Sequence, residues 1–189
     1  GFGINADLHV AIGDVDVSIR SVTAKTGCGL VVTGMARNEV FGRFLVGSTV
    51  QNLARGLSVP LLVVRNRARS AYQRIIVATD FSDSSRHALQ AAMRYFPGRK
   101  LVLYHAHTVP LAVDLSPSVI GAASQRIKNR ECAEFIAACD LTDEERSRLQ
   151  VVIEAGPVET ALACYVRKQE VELVVAGSHG SSGLMNVLL

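Results

Sequence analysis

Short apolar runs alternate along the chain with longer segments in which apolar residues recur at helical spacing. In the later part, the apolar runs predict four strands, over residues 74–79, 100–106, 151–154 and 171–176. Ala88 and Leu89, followed at helical spacing by Ala92 and Met93, are typical of the helices between them. Because strands that alternate with helices through short connections build parallel sheets, the pattern predicts a doubly wound α/β fold with right-handed crossovers.

Polar residues predict where the helices of this later part begin. Ser82 or Asp83 can cap the first helix, and residues 142–145 (Thr-Asp-Glu-Glu) match a capping box for a short helical turn. Two longer helices are predicted over residues 119–138 and 158–169. The later part therefore predicts four strands with a helix between each strand and the next.

The earlier part of the chain shows the same alternation on a shorter length. It predicts a strand, a helix, a strand, a helix and a strand, over residues 8–12, 15–26, 30–33, 48–57 and 60–64. Residues 65–72 carry three arginines and no apolar periodicity, which indicates a linker. We therefore expect a first domain over residues 1–66, a linker over 67–73 and a second domain over 74–189.

The two parts repeat one another without gaps at an offset of 143 residues. Residues 30–34 (Leu-Val-Val-Thr-Gly) return as residues 173–177 (Leu-Val-Val-Ala-Gly), and Gly13 returns as Gly156. A repeat of this length indicates two domains in tandem. By this offset, we expect the first domain to be represented by its C-terminal half and the second to lack its last helix and strand.

The composition of the chain argues against two classes of partner, nucleic acids and membranes. The chain has 20 Lys and Arg against 17 Asp and Glu, a net charge of +3 that is spread along the sequence. No basic run carries interleaved aromatic residues, so we expect no nucleic-acid partner. No apolar stretch approaches the roughly 18 residues of a membrane span, so we expect no membrane partner. The four cysteines form no Cys-x-x-Cys pair, which favours reduced, buried thiols in a cytoplasmic protein.

A glycine- and serine-rich turn follows the last predicted strand. Gly177 and Gly180 would let backbone N–H groups approach an anion closely, and Ser178, Ser181 and Ser182 could add hydroxyl donors. Parallel-sheet folds build phosphate sites from a strand and a turn of this kind. Turns between a strand and a helix also use glycine for purely steric reasons, and the pattern alone leaves both interpretations open.

Asp80 directly follows an apolar strand, at the carboxyl end where α/β folds place their ligands. Its carboxylate could accept a hydrogen bond from a ribose hydroxyl or an adenine amino group. The alternative is an N-cap role shared with Ser82 and Asp83. His105 and His107 alternate along one strand and so share a face, but only His179 offers a third ligand, and we assign no metal site.

Three segments, taken in order, resemble a known family. Residues 76–82 (Ile-Val-Ala-Thr-Asp-Phe-Ser) look like the opening strand of the universal stress proteins, and residues 103–106 (Leu-Tyr-His-Ala) are similar to their second strand. Residues 174–180 (Val-Val-Ala-Gly-Ser-His-Gly) resemble the start of their signature, G-x2-G-x9-G-[S/T]. The resemblance covers essentially the whole chain, and the ordered combination is more specific than any one motif.

The resemblance implies a Rossmann-like fold of the adenine nucleotide alpha hydrolase type. It also implies ATP or AMP, alone or with Mg, over the carboxyl ends of the strands. Asp80 and the backbone of Ala78 would meet the adenine or ribose, while Ala106 and Ala176 would flank the base. The nucleotide-binding residues implied in this way are Ala78, Thr79, Asp80, Ala106, Ala176, Gly177, Ser178, His179, Gly180 and Ser181.

The first domain departs from this signature. Arg37 stands where the second glycine belongs, although residues 47–49 (Gly-Ser-Thr) restore its end. If that position needs a left-handed backbone, a residue other than glycine costs about 1–2 kcal/mol. The Arg37 side chain would also occupy space that a ligand uses, although a guanidinium could instead clamp a phosphate. We expect a degenerate, structural first site.

Three functions follow from these features, in order of preference. The first is a stress-response protein that binds an adenine nucleotide in its second domain and acts as a regulatory or sensor module. The second is a scaffold without ligand that works by protein–protein association. The resemblance implies pairing through the last strand of each domain, as a homodimer or between the chain's own domains, and only residues 60–64 can supply such an edge. The third is a weak ATPase, for which the sequence offers only His179 as a general base.

Overall fold

A computed structural model describes residues 5–34, 48–65, 70–108 and 116–178 of the chain. These residues belong to two units, 1–67 and 68–188. The elements of the first unit are helix α1 (Val15–Thr26), strand β1 (Val31–Gly34), helix α2 (Ser48–Gly56) and strand β2 (Leu61–Val64). The two strands run parallel, as predicted from the alternation of strands and helices.

The predicted strand over residues 8–12 is wrong. This segment forms no regular secondary structure, and Leu8, Val10 and Ile12 are exposed to 89%, 84% and 101%. Alternating apolar residues fit a strand only where a neighbouring strand supplies hydrogen-bond partners. Among the described residues of the first unit, β1 and β2 pair with each other and neither pairs with this segment.

The second unit contains a four-stranded parallel sheet. Its elements are β3 (Ile75–Ala78), α3 (Asp83–Tyr95), β4 (Leu101–His107), α4 (Pro117–Ile127), α5 (Ala133–Ala137), α6 (Asp143–Ser147), β5 (Leu149–Ala155), α7 (Val158–Lys168) and β6 (Leu173–Ala176). The strand order is β5-β4-β3-β6, so the chain adds strands on one side of β3 and then crosses to the other. This order confirms the doubly wound fold and places a topological switch point between β3 and β6.

Helices cover both faces of this sheet. Val77 of β3 belongs to a buried cluster with Leu89 of α3 and Phe135 of α5. The next residue, Ala78, points to the opposite face because side chains alternate along a strand, and it clusters with Leu162 of α7. The strands are therefore apolar on both sides, which is why they appear in the sequence as continuous apolar runs.

Caps fix the helix starts that the sequence predicted. The Ser82 side chain caps α3 by accepting from the Ser85 N–H, and both bonds of the Thr142–Glu145 capping box are present at α6. The continuous helix predicted over residues 119–138 is wrong in one respect. A π-helical turn, Lys128–Cys132, separates α4 from α5. Such a turn takes up an extra residue and shifts the buried face, which a 3.6-residue period does not predict.

The repeat found in the sequence is also a repeat of backbone conformation. Helices α1 and α7 begin at Val15 and Val158, which are 143 residues apart. The preceding glycines, Gly13 and Gly156, have φ of +126° and +145°. Glycine adopts such angles without steric cost, so both copies keep it at the same place before the helix.

The thiols are less uniform than the sequence suggested. Cys132 and Cys139 are buried, and burial raises the pKa of both thiols. Cys28 is half-buried and Cys164 is exposed, so the expectation of four buried thiols is wrong for these two. Within the described ranges, none of the helices has the length and apolar character that crossing a membrane requires.

Candidate functional site

A hollow lies at the carboxyl ends of β3 and β4, beside the switch point. It is a small depression that opens to solvent at its mouth. Its lining residues are Ala78, Thr79, Asp80, Tyr104, His105, Ala106 and Val158. Four of the residues implied by the family resemblance, namely Ala78, Thr79, Asp80 and Ala106, are therefore brought together here. Open α/β sheets bind their ligands in this position.

Asp80 is held at the entrance to helix α3. Its Oδ1 accepts hydrogen bonds from the Ser82 N–H at 3.2 Å and from the Ser82 hydroxyl at 2.5 Å. The same hydroxyl oxygen accepts from the Ser85 N–H at 3.3 Å, so Ser82 is the N-cap. Asp80 therefore supports the cap from outside and also lines the hollow.

The turn that follows β3 has an unusual backbone. Phe81 has φ of +61°, which costs a residue other than glycine about 1–2 kcal/mol. The Phe81 N–H donates to Oγ1 of the buried Thr79 at 2.9 Å, and Thr79 Oγ1 also lies 2.9 Å from Ser85 Oγ. The side chain of Thr79 thus ties the strained residue to the first turn of α3.

His105 packs against the same turn. Its Nδ1 lies 2.8 Å from the carbonyl oxygen of Thr79, and its ring stacks on Phe81 at 4.3 Å with an interplanar angle of 25°. Because a carbonyl oxygen only accepts, Nδ1 carries the hydrogen in this contact. The sequence pattern suggests His105 only as a possible metal ligand, and it indicates neither this role nor that of Phe81.

His105 and His107 share a face, as predicted, but each contacts a different partner. His107 Nε2 lies 2.9 Å from the Ser124 hydroxyl. Burial lowers the pKa of His107, and the neighbouring His105 lowers it further. No group of three His, Cys, Asp or Glu residues suited to a metal occurs in the parts of the chain that the structure describes. His179 lies outside those parts.

The residues that follow β6 do not line the hollow in the described part of the chain. Ala176 lies opposite Ala78 in the β3–β6 register, and Ser178 is half-buried. Gly177 packs against Ser84 of α3, where a Cβ atom would lie 2.6 Å from the Ser84 carbonyl carbon. This close approach gives Gly177 a steric reason to be glycine. Gly180, Ser181 and the first-domain residues Arg37 and Gly47 lie outside the described residues.

A tyrosine and a glutamate form a partly buried polar contact beside the hollow. The Tyr104 hydroxyl donates to Glu154 Oε2 at 2.9 Å, and its ring lies 4.9 Å from that of Tyr165. Burial raises the pKa of Tyr104, and the hydrogen bond to Glu154 raises it further, so the phenol stays protonated. This contact could not be predicted from the sequence, because local patterns do not show which residues of β4 and β5 lie side by side.

Comparison with known protein families identifies the chain. The sequence profile described as the Universal stress protein family matches residues 2–65 and 71–189. The chain belongs to the universal stress protein family. The two matched segments correspond to the two copies of the internal repeat, which makes this universal stress protein a tandem one.

Solved structures share its fold. One is a universal stress protein from Archaeoglobus fulgidus DSM 4304, with 21% identity, a TM-score of 0.60 and alignment over 92% of this chain and 59% of that one. A Pseudomonas aeruginosa UCBPP-PA14 protein of the same family has 19% identity and a TM-score of 0.61 over 91% of this chain and 61% of that one. This universal stress protein thus spans about three fifths of their lengths.

A third structure is a universal stress protein in complex with cAMP. It has 24% identity and a TM-score of 0.41, over 64% of this chain and 86% of that one. The identities and TM-scores of the Archaeoglobus fulgidus and Pseudomonas aeruginosa structures show a common fold and no more. No curated protein sequence gives a significant match to the chain.

Proposed function

We propose that the second unit binds an adenine nucleotide, ATP or AMP, and that binding makes this universal stress protein a regulatory or sensor module. The observation that carries the proposal is the place of Asp80, whose carboxylate is held at the switch point beside the hollow. A ligand seated there would meet a hydrogen-bond acceptor of fixed direction beside the apolar side chains of Ala78, Ala106 and Val158.

The walls of the hollow favour a flat aromatic base. Ala78 and Ala106 present only methyl groups, and Val158 closes the side formed by α7. Small apolar side chains of this kind leave room for a ring, while Asp80 can accept from a ribose hydroxyl or from an exocyclic amino group. The phosphates, alone or with Mg, would then extend towards Gly177 and Ser178, the first described residues of the predicted phosphate-binding segment.

The first prediction is that adenine nucleotides raise the thermal stability of the protein. A ligand at about 100 times its dissociation constant stabilises the folded state by about 2.7 kcal/mol. We expect Mg-ATP or AMP to raise the unfolding temperature, with GTP giving a smaller shift. The Asp80→Asn variant keeps an oxygen that can accept from Ser82 but loses the charge, so we expect it to bind about 10–100-fold more weakly.

Asp83→Asn is the matched control for this experiment. Asp83 lies at the start of the same helix, but its side chain is 83% exposed and pairs with Arg86. Its removal should leave the nucleotide shift unchanged. If neither ATP nor AMP shifts the unfolding temperature of the unsubstituted protein, the proposal of nucleotide binding is abandoned.

A ligand-free scaffold is the second candidate. It is favoured by Gly177, whose glycine identity is accounted for by the contact with Ser84 without any phosphate. It is also favoured by β2, an edge strand in the described part of the first unit, through which a homodimer or a domain pair could form. A scaffold of this kind would show no nucleotide-dependent stabilisation, so the same experiment distinguishes the two candidates.

A further inference from the structure

We propose that His105 is a positioning residue for the nucleotide site, holding the Thr79–Phe81 turn so that Asp80 keeps its direction. The inference rests on the proposed function for its link to the ligand. Its structural part, that His105 holds the turn, can be tested without any ligand.

The turn contains the most unusual backbone conformation of the described residues. Three of the described residues other than glycine have positive φ, namely Phe81, Asp140 and Glu170. Asp140 follows α5 and Glu170 follows α7, so both lie just beyond helix ends, where a left-handed residue is common. Phe81 is different, since it is a bulky aromatic residue between a strand and a helix, directly after Asp80. Strained residues of this kind cluster at ligand sites.

His105 contacts the chain on both sides of Asp80. Its Nδ1–H donates to the carbonyl oxygen of Thr79, the residue before Asp80, at 2.8 Å. Its ring stacks at 4.3 Å on Phe81, the residue after Asp80. One rigid side chain on the neighbouring strand β4 therefore restrains both peptide units that flank the carboxylate.

Loss of these contacts would release the carboxylate. If Phe81 relaxes to a negative φ, the peptide between Asp80 and Phe81 rotates and the Ser82 N–H moves away from Asp80 Oδ1. The nucleotide would then have to order the turn when it binds, and this ordering weakens affinity. The Nδ1 hydrogen bond also leaves His105 unable to act as a base through that nitrogen.

Two substitutions separate the parts played by the hydrogen bond and the ring. His105→Phe keeps an aromatic ring on Phe81 but removes the donor, and His105→Asn keeps an N–H near the Nδ1 position but removes the ring. His107→Asn is the matched control, since His107 lies on the same strand and face but bonds to Ser124. ATP affinity would be measured by titration calorimetry, and amide hydrogen exchange would be measured in the protein without ligand.

We expect His105→Phe to weaken ATP binding about tenfold, the equivalent of one lost hydrogen bond. In the ligand-free protein, exchange at the Phe81 amide should accelerate by a similar factor, while the thermal midpoint stays close to that of His107→Asn. The His105→Asn variant should recover part of both losses. A purely structural role would instead lower the thermal midpoint and leave the affinity of the folded protein unchanged.

Phe81→Gly is a second variant that remains informative if His105→Phe folds poorly. Glycine tolerates the left-handed backbone but cannot stack, so we expect weaker binding that is not additive with His105→Phe, because both act through one turn. If amide hydrogen exchange at Phe81 is unchanged in His105→Phe, the proposal that His105 holds the turn is wrong. Faster exchange with unchanged ATP affinity would overturn the link to the ligand. Absence of ATP binding by the unsubstituted protein would instead defeat the proposed function, and the exchange data would still decide on the turn.

Discussion

Gly177 directly follows β6, where its backbone meets the first turn of α3. A Cβ atom there would contact Ser84 Oγ and would lie 2.6 Å and 2.8 Å from the carbonyl carbon and oxygen of Ser84. Backbone atoms cannot move aside as a side chain can. The glycine that begins the family signature is therefore required for packing, whatever it does for a phosphate.

We predict that Gly177→Ala destabilises the second unit by about 1–3 kcal/mol, the usual cost of overpacking. Urea-induced unfolding would measure the change. Gly121→Ala is the matched control, because Gly121 lies in the exposed part of α4 and an added Cβ would meet nothing within 4 Å. That control should gain up to about 1 kcal/mol from helix propensity. Equal stability of Gly177→Ala and the unsubstituted protein would contradict the packing argument.

Single residues could be predicted where their position follows from the chain direction. Asp80 was found because a polar residue directly after an apolar strand lies at the ligand edge of a parallel sheet. The contact of His105 with Thr79 could not be found, because it joins residues 26 apart on neighbouring strands. Nor does any local signal predict a left-handed phenylalanine, since that conformation is imposed by tertiary contacts.

Elements were predicted best where a polar side chain fixes their ends. The starts of α3 and α6 followed from Ser82 and from the Thr142–Glu145 box, and both caps are present. The prediction of a strand over residues 8–12 was wrong because alternating apolar residues define one face of a strand but provide no hydrogen-bond partner for its backbone. The π-helical turn Lys128–Cys132 was not predicted because one inserted residue does not change the apolar pattern recognisably.

The amino ends of β3 and β6 are joined by a carboxylate. Glu172 Oε2 accepts from the Arg74 N–H at 3.0 Å and from the Gln73 N–H at 2.5 Å, and the Arg74 guanidinium lies 3.4 Å from Oε1. The hydrogen bond from the Arg74 backbone, followed by that from Gln73, lowers the pKa of Glu172 below its ordinary 4.5. A carboxyl whose pKa falls on folding stabilises the protein only when it is ionised.

We predict that Glu172→Gln lowers the free energy of unfolding at neutral pH and that this difference disappears in acid. The stabilisation is fully present above the unfolded pKa of about 4.5 and is lost as pH falls through the lower folded pKa. Urea unfolding of both proteins from pH 7 downwards would measure it. Glu170→Gln is the control, since Glu170 is 81% exposed and reaches Arg74 only at 3.9 Å. A difference that persists unchanged in acid would refute the assignment.

The 143-residue repeat gives the two units a similar backbone, but the sequence predicts that their nucleotide sites differ. The first unit keeps the left-handed Gly13 before α1 and the β1–α2–β2 arrangement. The hollow, in contrast, is built on β3 and β4 of the second unit, and Arg37 stands in the first unit at the position that Gly180 holds in the second. The linker over residues 67–73 stays a prediction, and so does the degenerate character of the first site.

The difference between the two predicted sites leads us to expect that the chain binds a single nucleotide, in its second unit. Calorimetric titration with ATP should give one site per chain, because the Arg37 side chain would occupy space that a ligand uses in the first unit. Amide exchange should slow on ATP addition at the ends of β3 and β4 and stay unchanged in α1, β1, α2 and β2. Ser48→Ala, which removes a hydroxyl from the signature end of the first domain, should alter neither stoichiometry nor affinity. Two nucleotides per chain, or protection at α2, would mean that the first unit keeps a working site despite Arg37.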